Sequence, residues 1–231
     1  MNDSDKLQNS SIYSTLLQLP LIKGASLARL TEVAGRLKLH FFKAAEGDVV
    51  VKPGQACKSL IFVLSGSVRL SMAGGDGAFA IAQTLEAPQV IAPDCLFGLD
   101  TTYPCRVEAL GSTGLMEISK EDFRRMLALD PVFLFNYLNA VCTGSQRGRY
   151  GLMSIAGGSA LERLAYWVTT LTQPGAKDII VTSAERELHA VLGISATGMR
   201  AAVEKLAPRA STPDAHTLRV DSRDFLLSIL D

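Results

Sequence analysis

Across 231 residues the chain holds three histidines, one tryptophan and four cysteines, and its 23 Lys and Arg balance 23 Asp and Glu. Each scarcity excludes something. His40, His189 and His216 have no i, i+4 partner, so the several His plus carboxylate that a cupin-like metal centre gathers are missing. His40 as a haem ligand has no second residue to support it, and a half-buried structural histidine is expected there. Cys57, Cys95, Cys105 and Cys142 show no C-x-x-C spacing, which argues against a zinc or iron–sulfur site and for reduced, mostly buried thiols. Ser65-Gly66 lacks the G-x-S-x-G frame of a nucleophile elbow and reads as a turn. No catalytic group, metal or cofactor is therefore expected, and an enzyme is the weakest reading.

Zero net charge removes the whole-chain basic signature of a nucleic-acid binder, so any such role must rest on a local surface. The longest apolar runs, Leu60–Leu64 and Phe133–Phe135, fall far short of the ~20 residues that span a bilayer. Met1 to Pro20 carries Asp3, Asp5 and Lys6 before an amphipathic stretch, unlike a secretory signal. A cytoplasmic protein without a membrane partner is the expectation.

What is present is apolar: 48% of residues are hydrophobic against 20% charged, enough to build buried cores. Leu16 to Leu39 repeats apolar residues at helical spacing, interrupted by Pro20 and Gly24, which predicts short helices. After His40 come short apolar runs at Asp48–Val51, Leu60–Leu64, Val68–Met72, Phe79–Gln83, Val90–Ala92, Cys105–Ala109 and Leu115–Ile118. Turn clusters separate them at Pro53–Gly54, Ser65–Gly66, Gly74–Gly77 and Pro88, the spacing of a β-sandwich or barrel.

At Ser119 the texture turns helical, with Ser-Lys-Glu-Asp as a cap. Pro131 opens a second helix carrying Phe135, Leu138, Val141, Cys142, Ser145 and Leu152 along one seam, a plausible dimerisation helix. Gly144, Gly148 and Gly151 each cost about 1 kcal/mol relative to Ala, so a break or kink is expected there. Gly157–Gly158 reads as a hinge. A helix over Ser159–Thr172, a helix, turn and helix within Leu188–Leu206, a β-wing around Leu218–Val220 and a last helix from Asp224 to Leu230 complete the reading.

Two segments carry a resemblance. Glu46 to Gly54, followed by Leu60 to Val68, resembles the opening strands of cyclic-nucleotide-binding-like β-rolls, with turn glycines at 47, 54 and 66. With the long helix and helix-turn-helix that follow, the chain resembles the Crp/Fnr family of transcription regulators over Leu16 to Leu230. The resemblance implies an α+β fold: an N-terminal double-stranded β-helix (β-roll or jelly-roll) sensor domain with its helices over 1–130, a long dimerisation helix over 131–156, and a C-terminal winged helix-turn-helix over 157–231. It also implies a homodimer, a double-stranded DNA partner with a pseudo-palindromic site, and a small-molecule effector, here unidentified.

Members that bind cyclic AMP place Gly-Glu against the ribose and Arg-Ser against the phosphate. The matching positions here are Ala92 and Pro93, then Tyr103 and Pro104. A buried phosphate without a cation carries a large desolvation cost, which argues against a cyclic nucleotide. Ala92, Pro93, Phe97, Tyr103, Pro104 and Cys105 are the effector-pocket candidates. Phe97 and Tyr103 either stack a planar ligand or fill core, and Cys95 with Cys105 is either a redox pair or two buried small hydrophobes.

Ala184 to Leu206 resembles the family's helix-turn-helix, with Leu188, Leu192, Ile194, Met199, Val203 and Leu206 buried and Gly193 in the turn. Ser195, Thr197, Gly198, Arg200 and Lys205 are the DNA-contact candidates. Positions that commonly supply Arg and Glu to base edges are Ala196, Thr197 and Ala201, which weakens arginine readout of guanine. Residues 159–231 hold eight Lys and Arg against nine Asp and Glu, so weak or salt-sensitive binding is expected. The alternative reading is a ligand-binding or protein-interaction module with a degenerate DNA-binding head.

Overall fold

Helix α1 (Leu27–Arg36) begins where Ser26 accepts the Arg29 N–H, and it buries Leu30 and Val33. This computed structural model describes residues 13–74 and 77–230. The charged start at Asp3, Asp5 and Lys6, and part of the Gly74–Gly77 turn, lie outside the described residues. The chain forms two units.

The first unit gathers residues up to Val68, Glu86–Tyr103 and Glu108–Cys142. Its strands are β1 (Leu39–Ala44), β2 (Val49–Val51), β3 (Ser59–Ser65), β6 (Gln89–Ile91) and β8 (Thr113–Ser119). Four of them form a sheet in the order β1-β8-β3-β6. Antiparallel registers set Phe42 opposite Leu115, Leu60 opposite Ile118 and Phe62 opposite Val90. Leu60, Phe62 and Val63 are fully buried, so β3 is the spine of this core.

At the β3 exit, Gly66 adopts φ +78°, and a Cβ there would stand 2.7 Å from the Ser112 carbonyl oxygen. Only glycine makes that turn without strain. Ser119 caps α2 (Lys120–Leu129), with Glu121 and Asp122 in the first turn and Phe123 and Met126 buried. Acidic residues there favour the positive end of the helix dipole. Asp130 then accepts the Val132 N–H and pairs with Arg29 at 2.9 Å, anchoring the start of α3 (Pro131–Gly157).

The second unit comprises Arg69–Leu85, Pro104–Val107 and Thr143–Asp231. Its helices are α4 (Ala160–Leu171), α5 (Leu188–Val191), α6 (Ala196–Leu206) and α7 (Arg223–Leu230), with strands β9 (Lys177–Ser183), β10 (Ala210–Asp214) and β11 (Thr217–Ser222). A reciprocal capping box between Ser159 and Glu162 starts α4. β9 pairs on one edge with β11, Val181 opposite Leu218, and on the other with β5 (Phe79–Glu86), Val181 opposite Ile81. β4 (Ser67–Gly74) lies beyond β5. Leu164, Val168, Val181, Leu218 and Leu226 are buried at the centre of this unit. A further strand, β7 (Arg106–Ala109), buries Val107 and Ala109.

Three expectations change. β1 and β9 are strands that the apolar runs did not reveal. The helix from Pro131 does not break at Gly144, Gly148 or Gly151 but runs unbroken to Gly157. Gly151 is packed, since a Cβ there would meet Thr170 Oγ1 at 2.8 Å, so close packing against α4 offsets its low helix propensity. His40 is exposed, stacked on Phe42 with its Nδ1 3.6 Å from Glu117, rather than half-buried. The cysteines are free and mostly buried, as expected: Cys57, Cys95 and Cys105 are buried and Cys142 is exposed.

Candidate nucleic-acid interface and effector region

Gly193 (φ +62°) turns the chain between α5 and α6. Arg163 of α4 holds that turn, donating from Nη1 to the Gly193 carbonyl at 2.9 Å. Ser195 caps α6 by accepting the Gly198 N–H at 3.0 Å. Leu188, Leu192, Met199, Ala202 and Leu206 are buried, and Ile194 and Val203 are partly covered. This periodicity leaves Ala196, Thr197, Arg200, Ala201, Glu204 and Lys205 on the outward face.

Among the contact candidates, Ser195, Thr197, Arg200 and Lys205 are exposed. Gly198 is not directed outward, because a Cβ there would face Ser195 Oγ at 3.1 Å and the Ala160 Cβ at 3.4 Å. Its role is to let the cap close. A cleft of about 240 Å³ runs beside the start of α6, lined by Glu187, His189, Ala196, Arg200, Thr212 and Asp214. The backbone N–H of His216, 2.7 Å from Asp214, holds that carboxyl below its usual range. Glu187 sits 3.0 Å from His189. Sequence reading missed the acidic lining of this cleft at Asp214, which only the β10–β11 hairpin brings there.

In the first unit, Ala92 (φ +40°) leads into a tight turn, Pro93–Cys95. Tyr103 is 2% exposed and donates its hydroxyl to the Ser59 carbonyl at 3.0 Å, so it is core. Phe97 meets Tyr137 edge-on at 5.7 Å, and the Lys120 ammonium stands 5.0 Å over its ring. Tyr137 donates to the Pro93 carbonyl at 3.2 Å. Burial, followed by the nearby Asp94 carboxylate, pushes its phenol up to about 12. Burial likewise raises the Cys57 thiol.

Ala92, Pro93, Phe97 and Tyr103 thus belong to the first unit, whereas Pro104 and Cys105 belong to the second. Arg106, whose direction the strand pattern left open, is exposed, while Cys105 and Val107 are buried. Lys120, Tyr137 and Cys57 were not legible as neighbours of this loop, being remote from it in sequence. Among the described residues, no three His, Cys, Asp or Glu side chains group to hold a metal, and no single helix is long and apolar enough to cross a membrane.

On α3, Phe135 (59% exposed), Leu138 (42%) and Leu152 (70%) stand out to solvent. Cys142 and Ser145 share this exposure, and Val141 is partly covered.

Comparison with known proteins bears on residues that fall in both units. Residues 41–130 match the family described as the cyclic nucleotide-binding domain. The whole chain is similar to the catabolite activator protein of Thermus thermophilus, at 19% identity and TM-score 0.51 over 91% of this chain and 97% of that one. That likeness establishes a mixed α+β fold with a cyclic-nucleotide-binding-type β-roll. The sensor domain of the Pseudomonas aeruginosa transcriptional regulator DNR aligns at 17% identity and TM-score 0.46, covering 57% of this chain and 91% of that one. A Thermotoga maritima transcriptional regulator aligns at 19% and 0.46, covering 55% and 97%. No curated protein matches the chain.

Proposed function

We propose that the chain is a homodimeric DNA-binding transcription regulator of the Crp/Fnr type. In this reading residues 1–130 form the sensor domain, 131–156 the dimerisation helix and 157–231 a winged helix-turn-helix. The observation that carries it is the pair α5 and α6, joined at Gly193, capped by Ser195 and followed by the β10–β11 hairpin, with one face of α6 left open. Helix-turn-helix proteins insert such a face into the major groove. Ser195, Thr197, Arg200 and Lys205 are its contact residues. The exposed apolar side chains of α3 are where a second copy packs, and two-fold symmetry then calls for a pseudo-palindromic duplex with half-sites about one helical turn apart.

An effector acts in this scheme by biasing the pose of the two heads. A cyclic nucleotide is a poor candidate: Ala92, Pro93, Tyr103 and Pro104 offer no cation to a phosphate, and Tyr103 already spends its hydroxyl on Ser59.

The competing reading is a ligand-binding or protein-interaction module whose DNA head has degenerated. The net acidity of residues 159–231 and the carboxylates lining the same cleft as Arg200 favour it. Fluorescence anisotropy of the purified protein against duplexes from its own promoter region and a scrambled control, across a salt series, separates the two. The regulator gives selective binding whose affinity falls with salt through counterion release. The degenerate module gives no selectivity and no salt slope with any duplex.

A further inference from the structure

We infer that the recognition face of α6 reads the C5-methyl groups of thymines, with Arg200 supplying the single strong hydrogen-bonding contact between them. This rests on the proposed DNA-binding reading and names what that face selects.

The first turn and a half of a recognition helix is the part that reaches base edges. On α6 its outward residues are Ala196, Thr197, Arg200 and Ala201. Three of the four present a methyl group. Alanine offers neither donor nor acceptor, so pressing it on guanine O6/N7 or cytosine N4 strips those groups of water and returns nothing. In the major groove one base edge rewards a methyl: thymine, through its own C5-methyl.

The spacing fits two such contacts. Thr197 and Ala201 are four positions apart, one above the other on the same helix face, about 6 Å along a helix at its usual rise, or about two base-pair steps at 3.4 Å each. Arg200 projects from between these methyls and is the one outward group in this stretch able to pair with guanine O6 and N7. The face therefore selects a guanine bracketed by thymines about two base pairs apart, rather than a run of guanines.

The test uses the full-length protein and a randomised duplex library. Enriched duplexes are resynthesised with each half-site thymine in turn replaced by deoxyuridine, which removes only the methyl, and affinities are read by anisotropy at fixed salt. At two positions the loss is about three- to fourfold, the worth of one buried methyl group. Thr197→Ser keeps the hydroxyl and deletes the methyl, so it binds the thymine and uracil forms alike at one of those positions. Enrichment of a site without thymine, or uracil copies that bind as tightly as the parent, overturns the inference while leaving DNA binding standing. A library with no enriched sequence overturns the DNA-binding reading itself, and the inference with it.

Discussion

The side-chain carbonyl of Gln83 accepts the backbone N–H of Gln173 at 2.8 Å. Gln173 lies just past the end of α4, where continuation of the helix would send that N–H to the Thr169 carbonyl. The Thr169 carbonyl instead takes the Arg223 Nε–H at 3.1 Å. A residue of β5 and the first residue of α7 thus cap the same helix end, satisfying both halves of a bond the helix does not make. Arg223 carries its charge where the helix dipole favours a cation, although burial and then the nearby Arg147 pull its guanidinium down to about 10.

Gln83→Leu tests that cap. Losing the acceptor leaves the Gln173 N–H short of a partner, a cost of about 1–3 kcal/mol. The substitution also removes Gln83 Nε2, a buried donor with no partner, which offsets part of the cost. A net loss on the order of 1 kcal/mol in urea unfolding is expected. An unchanged midpoint would show that the cap contributes nothing.

Tyr137 gives a pH-dependent signature. Its phenol is raised from 10 to about 12, so as pH climbs through that interval the unfolded chain releases the proton first and stability falls. Below pH 10 the contribution is fully present. Phenolate absorbance of the folded protein should show one tyrosine titrating about two units late, and Tyr137→Phe should abolish that late step. It should also flatten the alkaline loss of stability relative to wild type.

Gly66→Ala places a Cβ 2.7 Å from the Ser112 carbonyl oxygen in a left-handed backbone. Strain of this kind costs about 1–3 kcal/mol before the clash is counted. A thermal midpoint lowered by several degrees is expected, and an unshifted midpoint would mean that the β3–β4 turn relaxes freely.

How much of this was legible in the sequence depends on the range of the forces involved. Turn glycines such as Gly66 and the Ser119 and Ser195 caps are local, and their spacing announced them. β9 was hidden because Lys177 and Asp178 precede a short apolar run, and its pairing with β5 joins residues about a hundred positions apart in the chain. The continuity of α3 was hidden for a related reason. Gly151 looks like a breaker until Thr170 is found packed against it. At the candidate site, the outward stripe of α6 followed from helical periodicity, whereas the inward turn of Gly198 and the presence of Asp214 in the cleft that Arg200 also lines needed the fold.

The apolar seam on α3 makes a prediction about assembly. Leu138 is 42% exposed in the single chain, and in the proposed dimer it meets its own copy. Leu138→Asp then buries two carboxylates face to face, which is strongly unfavourable without partners. Sedimentation velocity should show wild type as a dimer and the variant shifted to monomer at the same concentration. A variant that stays dimeric would move the interface elsewhere.

Arg200 is exposed on α6 between Thr197 and Glu204, and Arg200→Ala should lower duplex affinity at least several-fold. How it does so distinguishes two roles. If Arg200 binds a phosphate, its removal weakens all sequences alike and reduces the salt slope by about one. If it binds a guanine edge, its removal leaves the slope nearly unchanged and relaxes preference at one base pair, at a cost of about 1–3 kcal/mol. The second outcome is expected, because Ala196, Thr197 and Ala201 around it offer no other group able to distinguish guanine. Unchanged affinity at controlled salt would remove Arg200 from the interface, and with it the strongest polar interaction this face of α6 can make.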